Sequence, residues 1–286
     1  MQKIKGTLIP IGGNEDKGNG ESEVHTLEFI DEGILSRVVK ESGGKDASIV
    51  IIPTASSIPV EIGENYLEAF KKLECTQVQV LDIRSREQSE DGKFINTIKN
   101  ANCVMFSGGN QSKITDIIGG STIHNVLKEK YINENFVIAG TSAGAMCMSE
   151  EMIAGGSGTE VFRKGVVTMR KGMDFVSGLI IDSHFIRRGR FGRLVESVAK
   201  FPDLLGVGLA EDTGLVIKNK NEFEVIGSGM VIVFDGSEII HNNEELLKEG
   251  TPMTITNLIT QVLSNGDKYD IENRIVNILP IDSPFV

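Results

Sequence analysis

The chain has 286 residues, 40% of them hydrophobic and 24% charged, with a formal net charge of −11. This is the balance of an ordinary folded protein with apolar residues enough for a sizeable core, and its acidity disfavours nucleic acid as a partner, because phosphate binding needs a basic face. No uninterrupted apolar run approaches the roughly 18 residues of a membrane span, so no membrane partner is expected. The opening residues run into a strand-like segment in place of a signal-peptide core, so a cytoplasmic location is expected. Three cysteines, Cys75, Cys103 and Cys147, stand far apart with no CxxC pair, and the four histidines form no HExxH, so neither a disulfide framework nor a metal site is predicted.

Short runs rich in Val and Ile alternate with longer segments of helical periodicity, the pattern of an α/β fold with a mostly parallel sheet flanked by helices. Predicted strands cover residues 7–11, 48–52, 78–82, 103–106 and 136–139, and predicted helices cover 27–40, 60–73, 94–99, 112–118 and 123–130. Several strands run into Gly, Pro, Ser or Asn, which gathers tight loops at the C-terminal strand edge, where ligands bind in open α/β sheets. The second half continues with strands at 179–181, 206–210, 214–217, 223–226 and 231–234 and a helix near 193–200. Beyond residue 213 strands follow one another without helices, predicting an antiparallel C-terminal extension. With no linker, repeat or low-complexity stretch, residues 1–286 read as one domain, and the tail 257–286 carries no assigned element.

The most informative stretch is Gly140-Thr141-Ser142-Ala143-Gly144, a G-x-S-x-G motif placed directly after an apolar strand and before residues of good helix propensity. Small residues on both sides let the chain turn sharply at Ser142 and lift its Oγ above the sheet, while following N–H groups, Ala143 first, face a developing oxyanion. A serine hydroxyl needs a base to take its proton. His184, at the end of the run Leu179-Ile180-Ile181-Asp182-Ser183, is the candidate, with His25 in an early loop kept open. The carboxylate that fixes the imidazole tautomer is assigned first to Glu211, with Asp182, Asp212 and Glu160 as competitors, since spacing alone does not say which one meets His184.

Two further stretches bear on chemistry. The glycine pair in Ser107-Gly108-Gly109-Asn110-Gln111 makes Gly109 a candidate second oxyanion donor. Arg187, Arg188, Arg190 and Arg193 crowd into a short segment just after His184, and guanidinium groups suit a substrate bearing carboxylates. The loop Gly12-Gly13-Asn14-Glu15-Asp16-Lys17 lacks the spacing of a phosphate loop and carries two acids, so a nucleotide site is rejected.

Taken in order from residue 6 to 235, these motifs resemble the cyanophycinases, in the serine peptidase family that also holds the aspartyl dipeptidases. The resemblance implies a flavodoxin-like fold akin to class I glutamine amidotransferases, a homodimer, and no cofactor. It implies Ser142 as nucleophile, His184 as base and Glu211 as its partner, with Gly109 and Ala143 as oxyanion donors. Gln111, Asp182, Ser183, Arg188, Arg190 and Arg193 would line the substrate pocket. The implied substrate is an aspartate-arginine polymer, cleaved from an end to β-Asp-Arg dipeptides. Ser183 departs from the family, which commonly has glutamine there. Two alternatives stay open: an aspartyl or isoaspartyl dipeptidase, against which Ser157 stands where that cousin's acid is expected while Glu160 lies close by, and a catalytically idle binding protein of the same fold.

Overall fold

The computed structural model describes residues 3–20, 24–156, 162–280 and 283. In its nine-stranded sheet five neighbouring strands are parallel: β1 (Thr7–Ile11), β5 (Val137–Thr141), β4 (Cys103–Phe106), β2 (Ile49–Ile52) and β3 (Val78–Val80), in that spatial order. In β2 the side chains divide by parity. Ile49 and Ile51 pack with residues of α1 (Ile34–Glu41) and α2 (Pro59–Lys72), while Val50 and Ile52 pack with residues of α3 (Gly92–Lys99), α4 (Gln111–Ile117) and α5 (Thr122–Asn133). A strand alternates its side chains across the sheet, so only a run apolar at every position satisfies two covered faces.

The antiparallel extension joins the free side of β1. There β10 (Thr213–Lys218) pairs with β1 and β11 (Glu222–Gly227) pairs with β10. The next strand leaves that sheet. A four-stranded sheet forms from the parallel pair β8 (Leu179–Asp182) and β9 (Leu205–Leu209) with β12 (Val231–Asp235) and β15 (Ile259–Leu263). Helix α7 (Phe191–Lys200) covers it through Leu194 and Val198, which share an apolar cluster with Phe185 and Phe234. The tail also supplies β16 (Lys268–Asp270) and β17 (Ile275–Asn277), which complete the edge of the large sheet. A minor pair, β13 (His241–Asn242) and β14 (Ile255–Thr256), lies beyond β12.

Two local differences from the sequence reading have plain causes. The helix expected from residue 27 begins at Ile34, because the Glu28 carboxylate accepts from the Ile30 and Asp31 N–H groups at 2.8 and 3.0 Å and turns the backbone donors away from helical partners. The unexpected antiparallel pair β6 (Glu151–Gly156) and β7 (Val167–Lys171) is half-exposed, and β6 carries Ala154, Gly155 and Gly156, which give little strand signal. All three cysteines are free and buried, and burial pushes the Cys103 thiol up to about 12. Among the described residues no helix is long and apolar enough to cross a membrane.

His124, in α5, shows how the packing selects a protonation state. Its Nδ1 accepts the Gly120 N–H at 2.8 Å, so its Nε2–H must donate to the Met173 carbonyl at 2.7 Å. Burial, the largest cause, and the nearby Lys128 charge hold its pKa below the ordinary value, against the Met173 bond. The unfolded histidine takes up a proton near pH 6.5 while the folded one does not. Its stabilising effect is therefore complete above about pH 6.5 and is lost as pH falls towards the lowered folded value. Denaturant unfolding from pH 7.5 to 5 should show this loss, at no more than about 1.4 kcal/mol per pH unit for one proton, and His124→Gln should remove that component of the slope.

Candidate active site

Strand β5 ends at Thr141 and the short helix α6 (Ala143–Met146) begins one residue later, which isolates Ser142 at the turn with φ 51° and ψ −108°. A non-glycine residue pays roughly 1–3 kcal/mol to hold such a conformation, and it persists only where its surroundings enforce it. Here the Ser142 N–H donates to the Ile11 carbonyl at 2.8 Å, and the Ser142 carbonyl accepts from Ala145 and Met146, both at 3.0 Å. The result has the strand-turn-helix geometry of a nucleophile elbow, at the C-terminal edge of the central strands.

His184 follows β8 and also has a positive φ, 48°. Its Nδ1 lies 2.8 Å from Glu211 Oε1. A carboxylate only accepts, so Nδ1 carries the proton and Nε2 is left as the proton acceptor. Burial lowers the His184 pKa from its ordinary value. The Glu211 bond opposes that shift, and the Arg188 and Arg190 charges add to it. His184 is therefore neutral further into the acid range than a free histidine.

The competing carboxylates are engaged elsewhere. Asp212 accepts the Asp16 N–H at 3.0 Å and the Ser228 hydroxyl at 2.6 Å. Fully buried Asp182 accepts from Arg193 Nε at 2.6 Å, from Arg193 Nη2, and from Arg190 Nη1 at 3.1 Å. Glu160 and Ser157 lie outside the described residues. His25 bonds the Asn14 carbonyl through Nε2 at 2.8 Å and lines a neighbouring hollow with Asp16, apart from Ser142.

Three successive carbonyls at the end of β1 organise the site. Ile11 receives the N–H of Ser142, Gly12 that of His184 at 2.8 Å, and Gly13 that of Asp212, next to Glu211, at 2.9 Å. Gly13 has φ 111°, and a Cβ there would fall 2.3 Å from His184 Cε1 and 2.6 Å from Nε2, so the imidazole occupies the space that any side chain would need. Gly109 faces a similar limit. At φ 141° its added Cβ would lie 2.1 Å from the Ala55 carbonyl oxygen, which presses the Gly108-Gly109 turn against the Pro53-Thr54-Ala55-Ser56 loop.

Ser142, His184, Gly108, Gly109 and Arg188 line one cavity of about 290 Å³, together with Lys17, Glu15, Tyr66 and Thr141, a polar group that sequence reasoning did not single out. Arg188 reaches it because the turn after His184 folds back on itself, with the Arg188 N–H donating to the His184 carbonyl at 3.0 Å, which keeps the two residues together. The remaining residues expected at the substrate pocket are turned elsewhere. Gln111 Nε2 donates to the Ile153 carbonyl at 2.7 Å, buried Ser183 puts its hydroxyl 3.2 Å from Met146 Sδ, and Arg190 Nη1 donates to the Ser183 carbonyl at 2.7 Å. Asp182 thus accepts from both Arg190 and Arg193 beside the turn that carries His184. Among the described residues no three His, Cys, Asp or Glu side chains gather to hold a metal ion.

An α/β sheet that carries a serine elbow beside a histidine-carboxylate pair defines a serine hydrolase. The profile of peptidase family S51 matches residues 18–225. The chain is 34% identical over 275 residues to a cyanophycinase of Trichormus variabilis, covering 96% of this chain and 89% of the relative. It is 32% identical to a cyanophycinase of Geminocystis herdmanii, over 94% of this chain and 95% of that one. A peptidase from an acI-B1 Actinobacterium superposes with a TM-score of 0.64 at 19% identity, over 94% of this chain and 98% of its own. The chain belongs to peptidase family S51, and it is a serine-type peptidase.

Gly13→Ala should be less stable, because buried Gly13 holds φ 111°, and should lose roughly 100-fold or more in kcat/KM through displacement of the imidazole. Circular dichroism alongside kinetics checks both halves of that expectation. The pH profile for a small neutral ester should show its acid limb below the pH of a free histidine. Arg188→Met should move that limb upwards, since a positive charge that disfavours the imidazolium has gone.

Proposed function

We propose that this enzyme hydrolyses cyanophycin, multi-L-arginyl-poly-L-aspartate, from a chain end to β-Asp-Arg dipeptides through an acyl-enzyme on Ser142. The observation that carries the reading is the bond between His184 Nδ1 and Glu211 at 2.8 Å, beside Ser142 in a cavity walled by Arg188, in a chain 34% identical to a cyanophycinase over 96% of its length. Ser142 Oγ attacks the scissile carbonyl as its proton passes to His184 Nε2, and Glu211 holds the imidazolium that forms. The N–H groups of Gly109 and Ala143 receive the oxyanion. His184 then returns the proton to the leaving amine, and water, activated by the same base, releases the dipeptide from Ser142.

Arg188 takes a substrate carboxylate. In this reading Asp182, Arg190 and Arg193 act by holding the turn that carries His184 and Arg188, with Gln111 and Ser183 likewise in support, and Ser183 keeps its hydroxyl out of the cavity. The acidic surface suits the arginine side chains of the polymer. The position of Glu211, after the histidine in chain order, supports this reading over the aspartyl dipeptidase one, whose acid falls between serine and histidine. The enzyme acts as a cytoplasmic homodimer without a cofactor, and sedimentation equilibrium tests the dimer.

Incubation with cyanophycin and with a panel of α- and β-aspartyl peptides, followed by product analysis, is the direct test. Release of β-Asp-Arg as the dominant product is expected. Ser142→Ala should remain folded and lose activity by at least roughly 1,000-fold, together with labelling by a sulfonyl fluoride. Cleavage of short aspartyl peptides alone would transfer the assignment to the dipeptidase reading, and a wild-type enzyme that neither labels nor cleaves would make it an idle binder.

A further inference from the structure

The reaction cavity contains a second cation, built differently from Arg188. Glu15 enters it from the loop after β1, yet its side chain is only 1% exposed. The carboxylate accepts from Lys17 Nζ at 2.8 Å, from Thr141 Oγ1 at 2.6 Å and from the Tyr66 hydroxyl. Burial by itself would raise the Glu15 pKa, but the Lys17 charge and these donors outweigh it and hold it below the ordinary value. Thr141 immediately precedes Ser142, so one buried carboxylate is tied both to the nucleophile's strand and to the lysine.

Lys17 is held from three sides. Its ammonium donates to Glu15 Oε1 at 2.8 Å and to the Glu15 carbonyl at 3.3 Å, and it sits 4.9 Å from the centroid of the Tyr66 ring. An ammonium has three donors, so one N–H remains after the two bonds to Glu15. The side chain is 23% exposed and lines the same cavity as Ser142 and His184. Most of the rotamer freedom of a lysine has already been given up in the free enzyme, which lowers the cost of binding an anion there. Arg188, on an exposed turn, has no comparable anchor.

We infer that Lys17 is a specificity-determining residue whose remaining N–H donates to a carboxylate of the substrate beside the scissile bond, with Glu15 as the positioning residue that sets its distance from Ser142. The inference rests on the cyanophycin-hydrolysing reading above and adds a recognition element to the same site. It commits the substrate to an anionic group at a fixed distance from the carbonyl under attack, as the free α-carboxylates of the polymer's arginyl and terminal aspartyl units supply.

The test uses the wild-type enzyme and Lys17→Met with a synthetic β-Asp-Arg oligomer and the same oligomer amidated at its carboxyl groups. The readout is the ratio of the two kcat/KM values. Wild type should prefer the free oligomer, and in Lys17→Met that preference should shrink roughly 10-fold to 100-fold, mainly through KM. Lys17→Arg should restore part of it, since the charge returns with a different donor geometry. Lys17→Gln, which keeps a donor to Glu15 without the charge, serves if the methionine variant does not fold. Equal losses on both oligomers, or an unchanged ratio, would overturn the role of Lys17. A wild type that labels at Ser142 and shows no preference overturns this inference alone, whereas one that fails to label overturns the hydrolase reading and this inference with it.

Discussion

The site depends on three consecutive peptide carbonyls. Ile11, Gly12 and Gly13 receive the N–H groups of Ser142, His184 and Asp212, which belong to three different parts of the chain. Each receiving bond contributes on the order of 1 kcal/mol net. The three donors all sit at positive φ, 51°, 48° and 44°, a conformation that tends to undo itself unless its surroundings hold it. What holds it is β1, hydrogen-bonded between β5 on one side and β10 on the other near the middle of the large sheet. Strain at Ser142, at His184 and at Asp212, next to Glu211, is therefore carried by a single well-packed strand and the two residues that follow it.

Charge is arranged around this frame in two layers. Beneath the base, Asp182 shares its oxygens between Arg193 and Arg190, all nearly or fully withdrawn from water. Such a cluster adds little net stability against an apolar packing of similar size, but loss of one partner leaves a buried charge uncompensated. That asymmetry makes it a device for keeping the turn in one place. Above it, Lys17 and Arg188 give the cavity a positive character inside a protein of net charge −11. The surrounding acidic field suits a substrate that carries cationic groups as well as carboxylates.

Much of this was legible in the sequence, and the parts that were not share a cause. Strands β1, β2, β4 and β5 could be read because burial on both faces leaves unbroken apolar runs, and the elbow could be read because only small residues fit about Ser142. His184 and Glu211 could be proposed from their positions at strand ends. The choice among carboxylates could not be made, because nothing in chain spacing reveals that Asp182 is claimed by arginines on the following turn and helix. The same four-arginine cluster read as a substrate clamp, whereas two of its members face inwards. Glu15 escaped notice because its partners Tyr66 and Thr141 are 51 and 126 residues away. Its only local trace was an acid-rich loop with a lysine at a strand end, which the phosphate-loop test set aside. The tail strands β15, β16 and β17 alternate buried and exposed positions on short edges and owe their form to the strands they meet.

The convergence of distant segments on β1 also orders events during synthesis. Strand β1 is synthesised before the groups held at its end, which arrive at residues 142, 184 and 212, and β10 must still pair with it from residue 213 onwards. Contacts of such sequence separation form late in folding, because the loops they close cost entropy before any packing rewards it. A growing chain that has passed Ser142 thus still lacks His184, and one that has passed His184 still lacks the Glu211 carboxylate that its Nδ1 meets. The bonds that hold Ser142, His184 and Asp212 in place are therefore complete only once the chain beyond residue 213 is available.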